Sequence, residues 1–277
     1  MYRNLLVHIP TQRSPRPAID GSISLAMTCG AHLDAIAVGY ESANNVPFIA
    51  EGGAAVAAVF ELERERALER AEAALAVFEI EAKAAKIGYR SRAVSGSFAE
   101  AADIVGANAR LSELTIVSQA EPGLEMFDNF LPQDILFQSG RPVLVIPYTF
   151  RDALKFGRIG ICWDGSRLAA RALWDAMPLL SKANALSIIT VNEPVSVEAT
   201  TDRLAMRLAE LGLPAKIISA QSDHSDIQPT ILSVAADEGL DLLVMGGYGH
   251  SRLKETVLGG VTREMFRSMT VPTLMSH

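Results

Sequence analysis

The chain has 277 residues, 49% of them apolar, with 25 Lys and Arg against 32 Asp and Glu and a formal net charge of −7. That length suits one large domain or two ordinary ones, each able to bury a core. The acidic balance argues against non-specific binding to nucleic acid or an anionic membrane, since both need a basic face.

The N-terminal stretch MYRNLLVHIPTQRSPRP has too short an apolar run for a secretion signal, is cut by Pro10 and is followed by charges. No apolar run reaches the length of a membrane span. Cys29 and Cys162, the two cysteines, sit inside apolar runs and read as buried small hydrophobes, a usage that fits a reducing compartment. A soluble, cytoplasmic protein is expected.

YRNLLVHIP, from Tyr2, is the first of a series of Val/Ile/Leu-rich runs typical of strands buried on both faces. AHLDAIAVGYE, from Ala31, is the second. The long segment AAVAAVFELERERALERAEAALAVFEIEAKAAKIG then reads as a helix. Leu68, Ala71, Leu75 and Phe78 fall on one face, with the pairs Glu61/Arg64 and Glu63/Arg66 on the other, solvated one. ANARLSELTIVSQ, from Ala107, and GRPVLVIP, from Gly140, complete the first series, and YTFRDALKFG, Tyr148 to Gly157, reads as a short linker.

The same series then repeats in order: FGRIGICWD, NALSIITVNEP, AADEGLDLLVMGG and TVPTLMSH. Between these runs, SRLAARALWDAMPLLSKA has helical period, placing Leu168, Leu173, Trp174 and Met177 near one face with Ser166 as N-cap. TTDRLAMRLAELGLP stops at Gly212 and Pro214, and IQPTILSVAADEGLD has Gly239 past its end. Strands alternating with helices imply parallel pairing through right-handed crossovers, so each half, 1–150 and 151–277, is an α/β unit of about five strands. The closing strands RPVLVIP and VPTLM are expected at the edges of their sheets. Exposed edges are usually covered, so the halves should pair there as an intramolecular pseudo-dimer.

Met245 to Met265, MGGYGHSRLKETVLGGVTREM, carries Gly246-x2-Gly249-x9-Gly259 after a buried strand and before a helix. Ligands of open parallel sheets bind beyond the carboxyl ends of the strands, and a helix start offers unpaired N–H groups to an anion. Turn punctuation explains the same glycines without a ligand. A Walker-type loop is excluded, and Arg252 stands where a dinucleotide fingerprint needs its third glycine.

The second half resembles a universal stress protein domain and the whole chain a tandem pair of them, on the strength of WDGS (Trp163 to Ser166), the glycine loop and the closing TVPTLM. The resemblance implies an adenine nucleotide alpha hydrolase-like fold: two tandem open five-stranded parallel sheets flanked by helices, each paired through its last strand, with ATP as ligand. It assigns Asp164 to the adenosine, with Cys162 and Trp163 lining the same pocket and Val191 offering backbone groups to adenine. Met245, Gly246, Tyr248 and Gly249 would wrap the ribose and phosphates. Gly259, Gly260, Val261 and Thr262 would supply N–H groups and the Thr262 hydroxyl. Mg2+ or Mn2+ would travel with the nucleotide. Gly260 departs from the family pattern, where Ser or Thr is usual, so a hydroxyl is lost there.

In the first half Pro10 stands where Asp164 stands in the repeat, and QAEPGLEMFDNFLPQDILFQSGRP replaces the glycine loop. Acidic Glu121, Glu125 and Asp128 would repel a phosphate. The expectation is a degenerate copy, with ATP held by the second half alone. His8, His32, His224, His250 and His277 have no metal-ligand spacing, SDHSD (Ser222 to Asp226) is read as loop and capping, and Asp164-Gly165-Ser166 lacks the frame of a nucleophile elbow. No positioned base is visible, so slow or absent ATP hydrolysis is expected. The rival reading is an interaction scaffold for another small ligand or an unidentified protein, with the helix around Leu68 to Phe78 as its recognition element. Whether two chains form a homodimer is left open by the sequence.

Overall fold

The computed structural model describes residues 1–41, 53–123, 126–192, 196–247 and 260–277. Strands β1 (Asn4–Ile9), β2 (His32–Tyr40), β3 (Tyr89–Gly96), β4 (Leu114–Ser118) and β5 (Val143–Ile146) lie in the order β3-β2-β1-β4-β5, all parallel. Strands β6 (Arg158–Cys162), β7 (Ala185–Val191), β8 (Ala215–Ala220), β9 (Leu242–Gly246) and β10 (Thr273–Ser276) repeat that order as β8-β7-β6-β9-β10. The two sets join where β5 runs antiparallel to β10, with Leu144 opposite Leu274. The expected edge-to-edge pairing is therefore the centre of one ten-stranded sheet.

Among the described residues eight helices cover the two faces: α1 (Arg16–Cys29), α2 (Gly53–Ala84), α3 (Phe98–Ala109), α4 (Leu131–Ser139), α5 (Arg167–Leu180), α6 (Thr201–Glu210), α7 (Ile227–Asp237) and α8 (Val261–Ser268). Ile19, Phe78, Leu173 and Leu208 bring α1, α2, α5 and α6 into one buried cluster. Val105, Leu136, Ile231 and Phe266 bring α3, α4, α7 and α8 into another. Because both clusters run through both halves, the joint in the sheet is also a joint in the core.

The local signals act as expected at several helix ends. Ser166 Oγ accepts the Ala169 N–H at 3.1 Å and caps α5, while Gly212 and Gly239 take the left-handed φ of 76° and 58° that ends α6 and α7. The segment 148–157 is less a linker than a strap. Leu154 and Phe156 are buried, and the Leu154 N–H donates to Ser24 Oγ at 2.9 Å.

Two side chains depart from the expected faces. Trp174 is 54% exposed, because it sits about 100° round the helix from Leu173, outside the buried stripe of Leu168, Ala172, Ala176 and Leu179. Glu63, expected on the solvated face of α2, is buried with its carboxylate 3.0 Å from the Arg66 guanidinium. The stripe of α2 that meets the sheet is Ala67, Ala71, Leu75, Phe78 and Ala82, and Glu63 continues it by one turn. Alanine dominates that stripe because the helix lies directly on β2, where a methyl at Gly39 would overlap the Ala67 carbonyl.

Candidate functional site

In the second half β6 lies between β7 and β9, and the chain leaves β6 to one side before returning to the other. The crevice at such a switch point opens at the carboxyl ends of the two central strands. Asp164 follows β6 and Gly246 ends β9, so both stand at this crevice. Gly165, at φ 75°, turns the chain back, Asp164 Oδ1 accepts the Ser166 N–H at 2.9 Å, and the carboxylate is exposed. Gly246 has no room for a side chain: a Cβ would stand 2.7 Å from the Ala169 nitrogen. Its absence lets the first turn of α5 close over the end of β9.

Cys162, Val191, Met245 and Val261 belong to, or pack against, the same buried cluster on the α7/α8 face. Four of the expected residues thus converge from three strand ends and one helix start. Burial pushes the Cys162 thiol up to about 12, with the Asp164 charge adding to the effect. Trp163 points to the opposite face, packing in the other cluster with its indole N–H donating to the Ala199 carbonyl at 2.9 Å. Gly260 is the N-cap of α8 with φ −70° and ψ 146°, and no side chain caps that helix. Its first turn, with Val261 and buried Thr262, presents backbone N–H groups of the kind that attract anions. Tyr248, Gly249 and Gly259, together with His250, lie outside the described residues.

The first half also reaches this rim. The Gly247 N–H donates to the Ser276 carbonyl at 2.8 Å, and a Cβ at Gly247 would stand 2.9 Å from Leu136 Cδ2 of α4. The Phe137 and His277 rings pack edge to face at 4.7 Å, and His277 Nδ1 is 3.1 Å from the Gly247 carbonyl. The loop that follows β9 therefore starts against a wall built partly by the other half.

The equivalent crevice of the first half, between β1 and β4, is filled from within. Asp128 is fully buried there. Its Oδ2 accepts the Thr11 and Gln12 N–H groups at 2.9 Å each, and the Tyr40 hydroxyl donates to Oδ1 at 2.8 Å. His8 Nε2 lies 3.7 Å from Oδ1. The Arg13 guanidinium ties the turn after β1 to the end of β4 and to Asp128 by donating to the carbonyls of Gln119, Ser118 and Asp128. Desolvation lowers the His8 pKa to about 4 against the pull of Asp128, and Arg13 lowers it further. The histidine is neutral at pH 7, so Asp128 is the negative charge in this network and Arg13 its cation. Tyr40 is held protonated by burial and by Asp128.

Asp128, expected to repel a phosphate, is turned inward and accepts the N–H groups that follow β1. Glu121 is half-buried nearby, with its N–H donating to Asn129 Oδ1 at 2.9 Å, and Glu125 lies outside the described residues. The internal role of Asp128 left no local signal in the sequence, because its partners Thr11, Gln12 and Tyr40 are 117, 116 and 88 residues away.

Ser222 to Asp226 lies in a loop held by local hydrogen bonds, and neither Asp223 nor Asp226 caps the helical turn it precedes with its side chain. The Ser222 N–H donates to Asn192 Oδ1 at 2.9 Å, and Thr230 Oγ1 donates to the Asp226 carbonyl at 2.7 Å. Among the described residues no His, Cys, Asp and Glu cluster could hold a metal ion, and no helix is long and apolar enough to cross a membrane.

Residues 155–277 match the universal stress protein family. A universal stress protein of Synechocystis is 27% identical over 142 residues, covering 48% of this chain and 46% of that relative. One from Methanocaldococcus jannaschii is 32% identical over 75 residues, 27% of this chain and 44% of the relative. The chain thus spans under half the length of either. A Bacillus subtilis universal stress protein is covered over 98% of its length at 27% identity, by 43% of this chain. The crystal structure of a universal stress protein from Archaeoglobus fulgidus superposes with a TM-score of 0.72, covering 99% of this chain and 96% of that one at 16% identity, a likeness of fold.

Proposed function

We propose that this chain, whose residues 155–277 match the universal stress protein family, is a stress-response regulatory protein whose second half binds an adenine nucleotide while its first half does not. The division into units 1–150 and 151–277 is part of this reading. The observation that carries it is the contrast between the two crevices. One contains a buried carboxylate with its donors satisfied, and the other presents an exposed Asp164 beside Gly246 and an N-terminal helix turn without a side-chain cap.

The residues at the second crevice fit such a ligand. Cys162, Val191 and Met245 supply an apolar wall on one face of the sheet, with Asp164 at its mouth as acceptor for ribose hydroxyls. The start of α8 faces a phosphate chain with N–H groups, and a divalent cation bound with the nucleotide would offset the phosphate charge. Trp163 serves this site by holding the β7–α6 connection through Ala199 rather than by touching the ligand. Among the described residues no general base is positioned beside Asp164, and the role of the bound nucleotide in this reading is regulatory.

Thermal unfolding of the full chain with ATP in millimolar excess checks this reading. A shift that saturates at one nucleotide per chain, lost in Asp164→Ala and kept in Pro10→Ala, is expected. An unshifted transition overturns it. In the alternative reading, a scaffold that recognises its partner through α2, contact would fall on the exposed Phe60, Leu62 and Ile80, because Ala71, Leu75 and Phe78 are buried against the sheet.

A further inference from the structure

Gly247 leaves β9 beside the second crevice, and three elements close on it at once. A Cβ there would stand 2.9 Å from Leu136 Cδ2 of α4, and 3.7 Å from both the Ser276 carbonyl of β10 and Thr262 Cγ2 at the start of α8. The first of these elements belongs to the first half and the other two to the second. The glycine therefore fills the gap between the first half and the α8 turn that would face a phosphate chain. Leu136, Met265 and Phe266 lie in one buried cluster, which carries the contact between α4 and α8 into the core.

Both backbone polar groups of Gly247 are held. Its N–H donates to the Ser276 carbonyl at 2.8 Å, and its carbonyl accepts from His277 Nδ1 at 3.1 Å, so that ring nitrogen carries a proton. His277 is itself held from the first half. Phe137 of α4 meets its ring edge to face with centroids 4.7 Å apart. Arg171 joins the His277 carbonyl, at 2.8 Å, to the carbonyl of Gly140, which ends α4. A path of contacts thus runs from α4 through Phe137 and His277 to a backbone carbonyl at the mouth of the other half's crevice.

The consequence follows from the residue on which that path ends. Glycine has more backbone freedom to lose than any other residue, so a loose glycine beside a ligand adds an ordering cost to binding. Contacts that order it beforehand remove that cost, and here they come from the half whose own crevice is filled. We infer that Phe137 and His277 are positioning residues for the nucleotide site: they act through Gly247, and the first half sets the affinity of the second. The inference rests on the nucleotide reading of the second crevice. It gives the first half a part in binding although it holds no nucleotide of its own.

Calorimetric titration of the full chain with ATP tests it. Phe137→Ala and His277→Ala should each bind ATP about tenfold more weakly than wild type. Both side chains are only half-buried, so the substitutions leave the core in place. Phe137→Tyr keeps the ring, and His277→Asn keeps a donor near the place of Nδ1, so each should recover the affinity that its alanine counterpart loses. Phe127→Ala is the control within the first half: its ring packs on Tyr40 and Phe98 instead, and ATP affinity should be unchanged. Wild-type affinity in both alanine variants overturns the inference and leaves the nucleotide reading standing. An equal loss in Phe127→Ala does the same, as do alanine losses that neither conservative variant recovers. A wild-type chain that binds no ATP overturns both.

Discussion

At the scale of single residues, the two halves differ most where they correspond most closely. His8 stands in β1 where Cys162 stands in β6, and both are pushed toward their neutral forms by burial. For His8 this makes stability depend on pH. An unfolded histidine takes up its proton near 6.5 and the folded one near 4, so between those values the unfolded chain holds more protons. Stability contributed by His8 is complete above 6.5 and falls as pH drops toward 4, by up to about 3 kcal/mol. Urea unfolding of wild type and His8→Val at pH 7 and pH 4.5 measures it. The stability lost on acidification should be smaller in the variant, and an equal loss in both would remove His8 from the account.

At the scale of elements, close approach of backbone to backbone sets the positions of the helices. α2 rests on β2 at Gly39, and α5 rests on β9 at Gly246. Gly39→Ala drives a methyl into the Ala67 carbonyl and should cost at least the 1–3 kcal/mol typical of overpacking, ~3 kcal/mol here. Ser166→Ala removes only a cap and should cost about 1 kcal/mol. Chemical denaturation of the two variants should rank them in that order. The elements most legible in the sequence are the ones buried on both faces. FGRIGICWD and DLLVM read as strands because nothing but apolar side chains fits between two helical layers. β3 and β8 escaped the landmark series because they are the outer strands, where Arg90, Arg92, Lys216, Ile217 and Ser219 are exposed and the run of apolar residues is broken. Within the site, Asp164, Gly246 and the start of α8 were visible through their positions after strands and before a helix. The opposed facing of Cys162 and Trp163 depends on where β6 ends, which composition does not encode.

At the scale of the whole molecule, the sheet and both core clusters cross the midpoint of the chain, and side chains tie the halves further. The Tyr2 hydroxyl donates to the Asp175 carbonyl at 2.6 Å, Lys182 Nζ to the Thr28 carbonyl at 2.9 Å, and Arg171 to the Gly140 carbonyl. Residues so interlocked have no separate way to unfold. A single calorimetric transition is expected for the full chain, with equal calorimetric and van't Hoff enthalpies. Two resolved transitions would show that the β5–β10 joint is weaker than the geometry implies.

That joint also has a consequence for descent. Had two identical chains met along their last strands, each substitution would have appeared twice, once in either crevice, and neither pocket could have changed without the other. Joining the copies end to end breaks this bond between them. Because β5 and β10 run in opposite directions, the strand ends of the first half open on one rim of the sheet and those of the second half on the other. One rim could then close around its own aspartate while its counterpart stayed open. A covalent connection between two units of one topology is what lets their crevices differ.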